Sequence, residues 1–126
     1  VRMASYIGMP VPMHSTSVGK AYLATLDEAT REQYLAQLTL EPVTHRTCTT
    51  LEALRNELTL TRERGYAIDD EENELGIICF GQAVRGADGR VEGAISVSVP
   101  RYRLPDDGQQ RILECIRSLC RDAGLV

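Results

Sequence analysis

The stretch Tyr66–Gly81 reads YAIDDEENELGIICFG, and five of the six residues from Asp69 to Glu74 are acidic. Carboxylates at that density could hold a metal, act as a catalytic acid, contact a ligand or form a solvated turn. The run lacks the alternating oxygen ligands and central glycine of an EF-hand loop. It also lacks the nearby histidine that a zinc site usually shows. No metal and no cofactor are therefore expected. A second chemistry-bearing stretch is Met13–Lys20, MHSTSVGK. Its hydroxyls stand where a helix begins, and unpaired N–H groups there attract carboxylate or phosphate. A plain N-cap explains the same residues, and the glycine spacing is wrong for a P-loop. The third stretch is Ala94–Val99, AISVSV. Side chains alternate along a strand, so Ala94, Ser96 and Ser98 share one face, and Ile95, Val97 and Val99 the other. Two small hydroxyls in line leave room for a ligand and offer it hydrogen bonds. If Asp69, Cys79, Ser96 and Ser98 fall on one side of the sheet, they make a small polar cluster.

The elements that must position these residues follow from pattern and punctuation. Arg2–Gly8 alternates weakly and reads as a strand, interrupted by Pro10 and Pro12. The cap signal His14–Ser17 precedes a helix over Val18–Leu26, with Val18, Ala21 and Tyr22 at helical spacing. Asp27 caps a helix over Glu28–Leu38, with Tyr34, Leu35 and Leu38 inward. Thr50 caps Leu51–Arg64, whose core stripe is Leu51, Leu54 and Leu58, and Gly65 ends it in a left-handed conformation. Strands follow at Tyr66–Asp69, Leu75–Arg85 and Arg90–Val99, the last two joined by the hairpin turn Gly86–Gly89. A final helix runs over about Gln109–Ala123, with Ile112, Ile116, Leu119 and Ala123 on its inner face. This order predicts one α+β domain: an antiparallel sheet covered by helices.

Bulk properties narrow the function. The 126 residues make one domain, with 43% hydrophobic and 25% charged residues. The net charge is −4, Lys20 is the single lysine, and the arginines are spread along the chain. That argues against a grip on a nucleic-acid backbone, which needs clustered positive charge. No apolar run is long enough to cross a bilayer, so no membrane partner is expected. Cys48, Cys79, Cys115 and Cys120 form no CxxC pair, and free thiols in a reducing cytoplasm are expected. Val1 is not a start methionine and no leader follows it, which suggests a piece of a longer protein.

Three segments, MHSTSVGKAYLA, RERGYAIDDEENELGIICFGQAV and GRVEGAISVSVP, occur in this order. Together they resemble the effector-binding domain of IclR-type bacterial transcription regulators. The resemblance implies a GAF-like fold, a curved antiparallel sheet with helices packed on both sides. It implies a pocket for a small organic acid, formed by Ser17, Val18, Asp69, Cys79, Ser96 and Ser98. The family's pair at the helix start can be Gly-Ala; here it is the bulkier Ser17-Val18. A winged helix-turn-helix domain would precede this chain, and DNA would be bound only through it. Under this reading Asp69 accepts a hydrogen bond from a ligand hydroxyl or hydrated carbonyl, and the ligand carboxylate points toward Ser17 and Val18. Asp70, Glu71, Glu72 and Glu74 would form a solvated loop.

The expected function is thus a cytoplasmic sensor domain of a homodimeric or tetrameric regulator, binding a keto or sugar acid. It is not expected to be an enzyme. Two alternatives remain at this level. One is an enzyme with Cys79 as nucleophile, Asp69 nearby and His14 as the base within conceivable reach. The other is a dimerisation module with no ligand.

Overall fold

A computed structural model of the chain describes residues 6–125. Its helices are α1 (Ser17–Leu23), α2 (Glu28–Gln37), α3 (Leu51–Arg64) and α4 (Gly108–Asp122); its strands are β1 (Ala67–Asp70), β2 (Ile77–Arg85) and β3 (Val91–Pro100). The expected caps are present. Thr16 accepts the Gly19 N–H at 3.1 Å, Asp27 that of Thr30 at 2.8 Å, and Thr50 that of Ala53 at 3.2 Å. Each side chain satisfies a donor that the first helical turn leaves without a partner. Gly65 closes α3 at φ 86°, where an L side chain is disfavoured, and donates its N–H to Thr61 O.

Some boundaries differ from expectation. α1 stops at Leu23 rather than Leu26, because the Thr25 and Leu26 N–H groups bond back to Tyr22 and Leu23 in a tighter turn. Of the expected strand Arg2–Gly8, residues 2–5 lie outside the described residues. Tyr6–Gly8 is a turn, with the Met9 N–H on Tyr6 O. β2 starts at Ile77, two residues late, because Gly76 sits at φ 82°.

The sheet runs β1-β2-β3, antiparallel throughout. The hairpin between β2 and β3 closes at the expected glycines: Gly86 N–H reaches Arg90 O at 2.9 Å and Gly89 N–H reaches Gly86 O at 3.0 Å. One face is apolar, and Ile78, Phe80 and Val84 pack there with Leu113, Ile116 and Cys120 of α4. The other face carries α1, which is backed by α3 through Leu23, Leu54 and Leu58. Helices thus cover both faces, as the α+β reading requires.

The inner stripe of α4 is Leu113, Ile116 and Cys120, with Ile112 at its side; Leu119 is 57% exposed and Ala123 faces out. The apolar doublets Ile112-Leu113 and Leu119-Cys120 suit two helical stripes a fraction of a turn apart. Packing on β2 selects the second. Tyr34 is likewise exposed, meeting Tyr22 edge-on with centroids 6.3 Å apart.

Candidate functional site

Register builds the site. Asp69 of β1 pairs with Cys79 of β2, which pairs with Ser98 of β3. Residues directly opposite in a ladder point to the same face, so the three form a row. Gly81 and Ser96 form the next row on that face. The start of α1 lies over it. A Cβ on Gly81 would stand 2.7 Å from the Ser17 backbone, so only glycine lets the helix come this close. Gly19 admits the Met13–Thr16 turn in the same way, where a Cβ would meet Met13 Cα at 2.6 Å.

The result is a cavity of about 190 Å³. All six residues implied by the resemblance, Ser17, Val18, Asp69, Cys79, Ser96 and Ser98, line it. Sequence reading missed the rest of the wall apart from Thr16, one of the hydroxyls of MHSTSVGK. Met9, Val11, Pro12 and Ile77 supply an apolar side, and Thr16, Asn73 and Glu74 add polar groups. The Pro-Val-Pro interruption before the cap signal was the one hint that chain folds back over the helix start. A second depression, of about 220 Å³ between α1, α3 and β2, holds Arg62 and Arg85 but none of the six residues.

Asp69 is 3% exposed. Its Oδ1 accepts the N–H groups of Glu72 at 2.8 Å and Asn73 at 3.2 Å. Burial outweighs these bonds and raises its carboxyl to about 6. Cys79 Sγ lies 3.1 Å from Ser98 Oγ. Burial pushes its thiol up to about 11, with the Asp69 and Glu74 charges adding to the effect.

The acids after Asp69 correct the expectation of a solvated loop. Lys20 is 0% exposed, and its Nζ donates to both Glu72 carboxylate oxygens, at 2.9 and 3.0 Å, and to Ile68 O. Glu57 of α3 stands 3.8 Å from the same Nζ. Thr44 and Thr47 hydroxyls donate to the Glu71 and Glu72 carbonyls. Glu71 is held at φ 60°, a left-handed conformation uncommon for a residue with a side chain. Asp70 pairs with Arg46 and Arg101. Asn73 receives the Ser15 hydroxyl at 2.9 Å. The run is therefore a tied turn that aims two N–H groups at Asp69 and forms one wall of the cavity.

Nucleophilic chemistry at Cys79 has no support. A thiol raised to about 11 is far from thiolate at neutral pH. His14 is buried with its Nε2 on Glu41 O at 2.8 Å, and no histidine lines the cavity among the described residues.

Residues 1–124 match the family model described as bacterial transcriptional regulator IclR C-terminal. The transcriptional repressor IclR of Escherichia coli is 38% identical over 107 residues, 85% of this chain and 39% of that protein. The chain thus spans well under half of that relative's length. The structure of IclR from Thermotoga maritima superposes with a TM-score of 0.87 at 33% identity, covering 94% of this chain and 48% of that one. The inducer-binding domain of PobR from Acinetobacter, a double mutant in complex with 3-hydroxybenzoic acid, superposes at 0.80 with 26% identity, covering 98% and 71%. The family match runs through every element that builds the cavity, and the chain belongs to the IclR C-terminal family of bacterial transcriptional regulators.

Proposed function

We propose that this chain is the ligand-sensing domain of an IclR-type DNA-binding regulator, and that its cavity binds a small keto or sugar acid. The observation that carries this is the convergence of Ser17, Val18, Asp69, Cys79, Ser96 and Ser98 on one cavity. A volume of about 190 Å³ lies below the roughly 300–1,000 Å³ of drug-sized sites, which favours a compact acid. The ligand carboxylate points to the Ser17 and Val18 N–H groups, which the first helical turn leaves without intrahelical partners. Its uncharged end meets Asp69 and the Ser96–Ser98 pair. The relative PobR was solved with 3-hydroxybenzoic acid, which supports an organic acid as the ligand; the keto or sugar acid is argued from the small volume and the short polar lining alone. In the whole protein, a winged helix-turn-helix domain ahead of this chain binds DNA, the subunits assemble into a homo-oligomer, and the site of action is the cytoplasm. Ligand occupancy shifts the assembly through unequal affinity for two arrangements.

A thermal-shift screen of small organic acids tests the reading. A ligand that binds only the folded state stabilises it by about 2.7 kcal/mol at 100 times its Kd. A keto or sugar acid should therefore raise the melting temperature by several degrees, and Ser98→Leu, which fills the cavity, should remove the rise. A rise with aromatic acids alone overturns the ligand class. No rise with any acid overturns the sensor reading and favours a ligand-free dimerisation module.

A further inference from the structure

Asp69 and Glu74 both line the cavity, and among the described residues no Lys, Arg or His does. The nearby basic groups are engaged elsewhere: Lys20 with Glu72, and Arg46 and Arg101 with Asp70 and Glu71. A ligand carboxylate in about 190 Å³ lies within a few ångströms of Asp69. At ~6 Å and an effective dielectric constant of ~20, two like charges disfavour binding about 100-fold. A neutral Asp69 removes that repulsion.

We propose that the cavity takes its acid together with one proton, held on Asp69, so that Asp69 meets the ligand as a hydrogen-bond donor. The proposal rests on the organic-acid reading above and sharpens it. Oδ1 of Asp69 already accepts two backbone N–H groups. The proton therefore sits on Oδ2, comes from solvent, and is shared with a keto or hydroxyl oxygen of the ligand. No covalent bond of the ligand changes. Burial and the Glu72 charge favour this outcome, while the two backbone N–H bonds and the Lys20 charge oppose it. α1 offers Lys20, already bound to Glu72; the turn offers Glu72 and Glu74; β2 offers the neutral Cys79 thiol; β3 offers only Ser98; and α3 reaches the network through Glu57 on Lys20. A carboxyl already raised to about 6 by burial must hold its proton about 100-fold more tightly to stay protonated at pH 7, and the like-charge repulsion of the ligand carboxylate is of that size. Specificity follows: the ligand must present an acceptor oxygen to Asp69.

Calorimetry of pyruvate and gluconate with this chain, at pH 6 to 8 in two buffers of different protonation enthalpy, tests the inference. Binding should take up close to one proton per acid near pH 7. Affinity should fall about fivefold per pH unit between pH 6 and 8, because free Asp69 is already half protonated at pH 6. Asp69→Asn places an NH₂ donor where the protonated carboxyl stood, so its affinity should be flat with pH and its proton uptake zero. Glu74→Gln should keep the pH dependence. Acid binding of equal strength at pH 6 and 8 without proton uptake overturns the proposal and leaves the organic-acid reading standing. Pronounced weakening of Asp69→Asn at every pH, or loss of the linkage in Glu74→Gln, also overturns it. No binding of either acid at any pH overturns both.

Discussion

Replacing Lys20 by methionine is the most demanding test of how the acidic turn is held. Lys20 is fully buried, and its Nζ donates to both Glu72 oxygens and to Ile68 O. Methionine fills similar space and carries no charge. The Glu72 carboxylate, 13% exposed, then loses its counter-charge, and Ile68 O loses its donor. Breaking a buried pair from one side costs about 3–5 kcal/mol, against a total stability of about 5–15 kcal/mol for a domain of this kind. For 126 residues that corresponds to a fall in melting temperature of roughly 10–20 °C. The second variant, Lys20→Met with Glu72→Gln, removes both charges and keeps an acceptor for the Asp70 N–H, which Glu72 holds at 3.0 Å. It should recover most of the loss, with a coupling of about 2 kcal/mol or more. Urea unfolding followed by circular dichroism of the four-member cycle measures this. A loss below about 1 kcal/mol in Lys20→Met, or independent effects of the two substitutions, refutes the view that this pair ties the turn.

Other perturbations probe the same site. Asp69 titrates near 6 folded against 3.8 as a free side chain. The folded state then holds more protons than the unfolded one between those values, so stability falls as pH rises through the window and levels off above it. At about 1.4 kcal/mol per unit, ionised Asp69 costs about 3 kcal/mol at pH 7. Asp69→Asn should be more stable than the parent at pH 7 and nearly equal near pH 4. Parallel urea midpoints for the two proteins from pH 4 to 7 refute this. Gly81→Ala sets a methyl 2.7 Å from Ser17 backbone atoms, which have no freedom to yield within α1. It should cost about 1–3 kcal/mol and abolish the ligand-induced rise in melting temperature. A normal rise in Gly81→Ala would show that α1 can lift without disturbing the cavity.

Most of the framework was legible because its signals are local. Thr16, Asp27 and Thr50 sit directly before apolar runs at helical spacing, and Gly86–Gly89 separates two β-rich segments. The row Asp69–Cys79–Ser98 was legible only as a condition. Alternation says which residues share a face within one strand, and pairing register decides whether faces coincide between strands. The fate of Glu72 was not legible at all. A charge run is normally solvated, and only Lys20, 52 positions away, makes one of these carboxylates an interior group. The stripe on α4 was ambiguous for a different reason: two adjacent apolar stripes exist, and the sheet chooses.

The cavity lies where it does because the two faces of one sheet were given different volumes. Toward α4, Ile78, Phe80 and Val84 fill the layer. Toward α1, the same strands offer Cys79, Gly81, Ala83, Ala94, Ser96 and Ser98, and α1 is seven residues long. So short a helix rests on Gly81 and cannot also cover the Asp69–Cys79–Ser98 row. The space left is closed from the side by the turn that Lys20 anchors. Two of the groups that shape this space, a buried carboxyl and a backbone at positive φ on Glu71, oppose stability. A one-residue slip of β1 against β2 would turn Asp69 and its neighbours onto the apolar face, where α4 leaves no room. The large side chains on the α4 face therefore do more than form a core: they hold the register that brings the small and polar ones together on the other side.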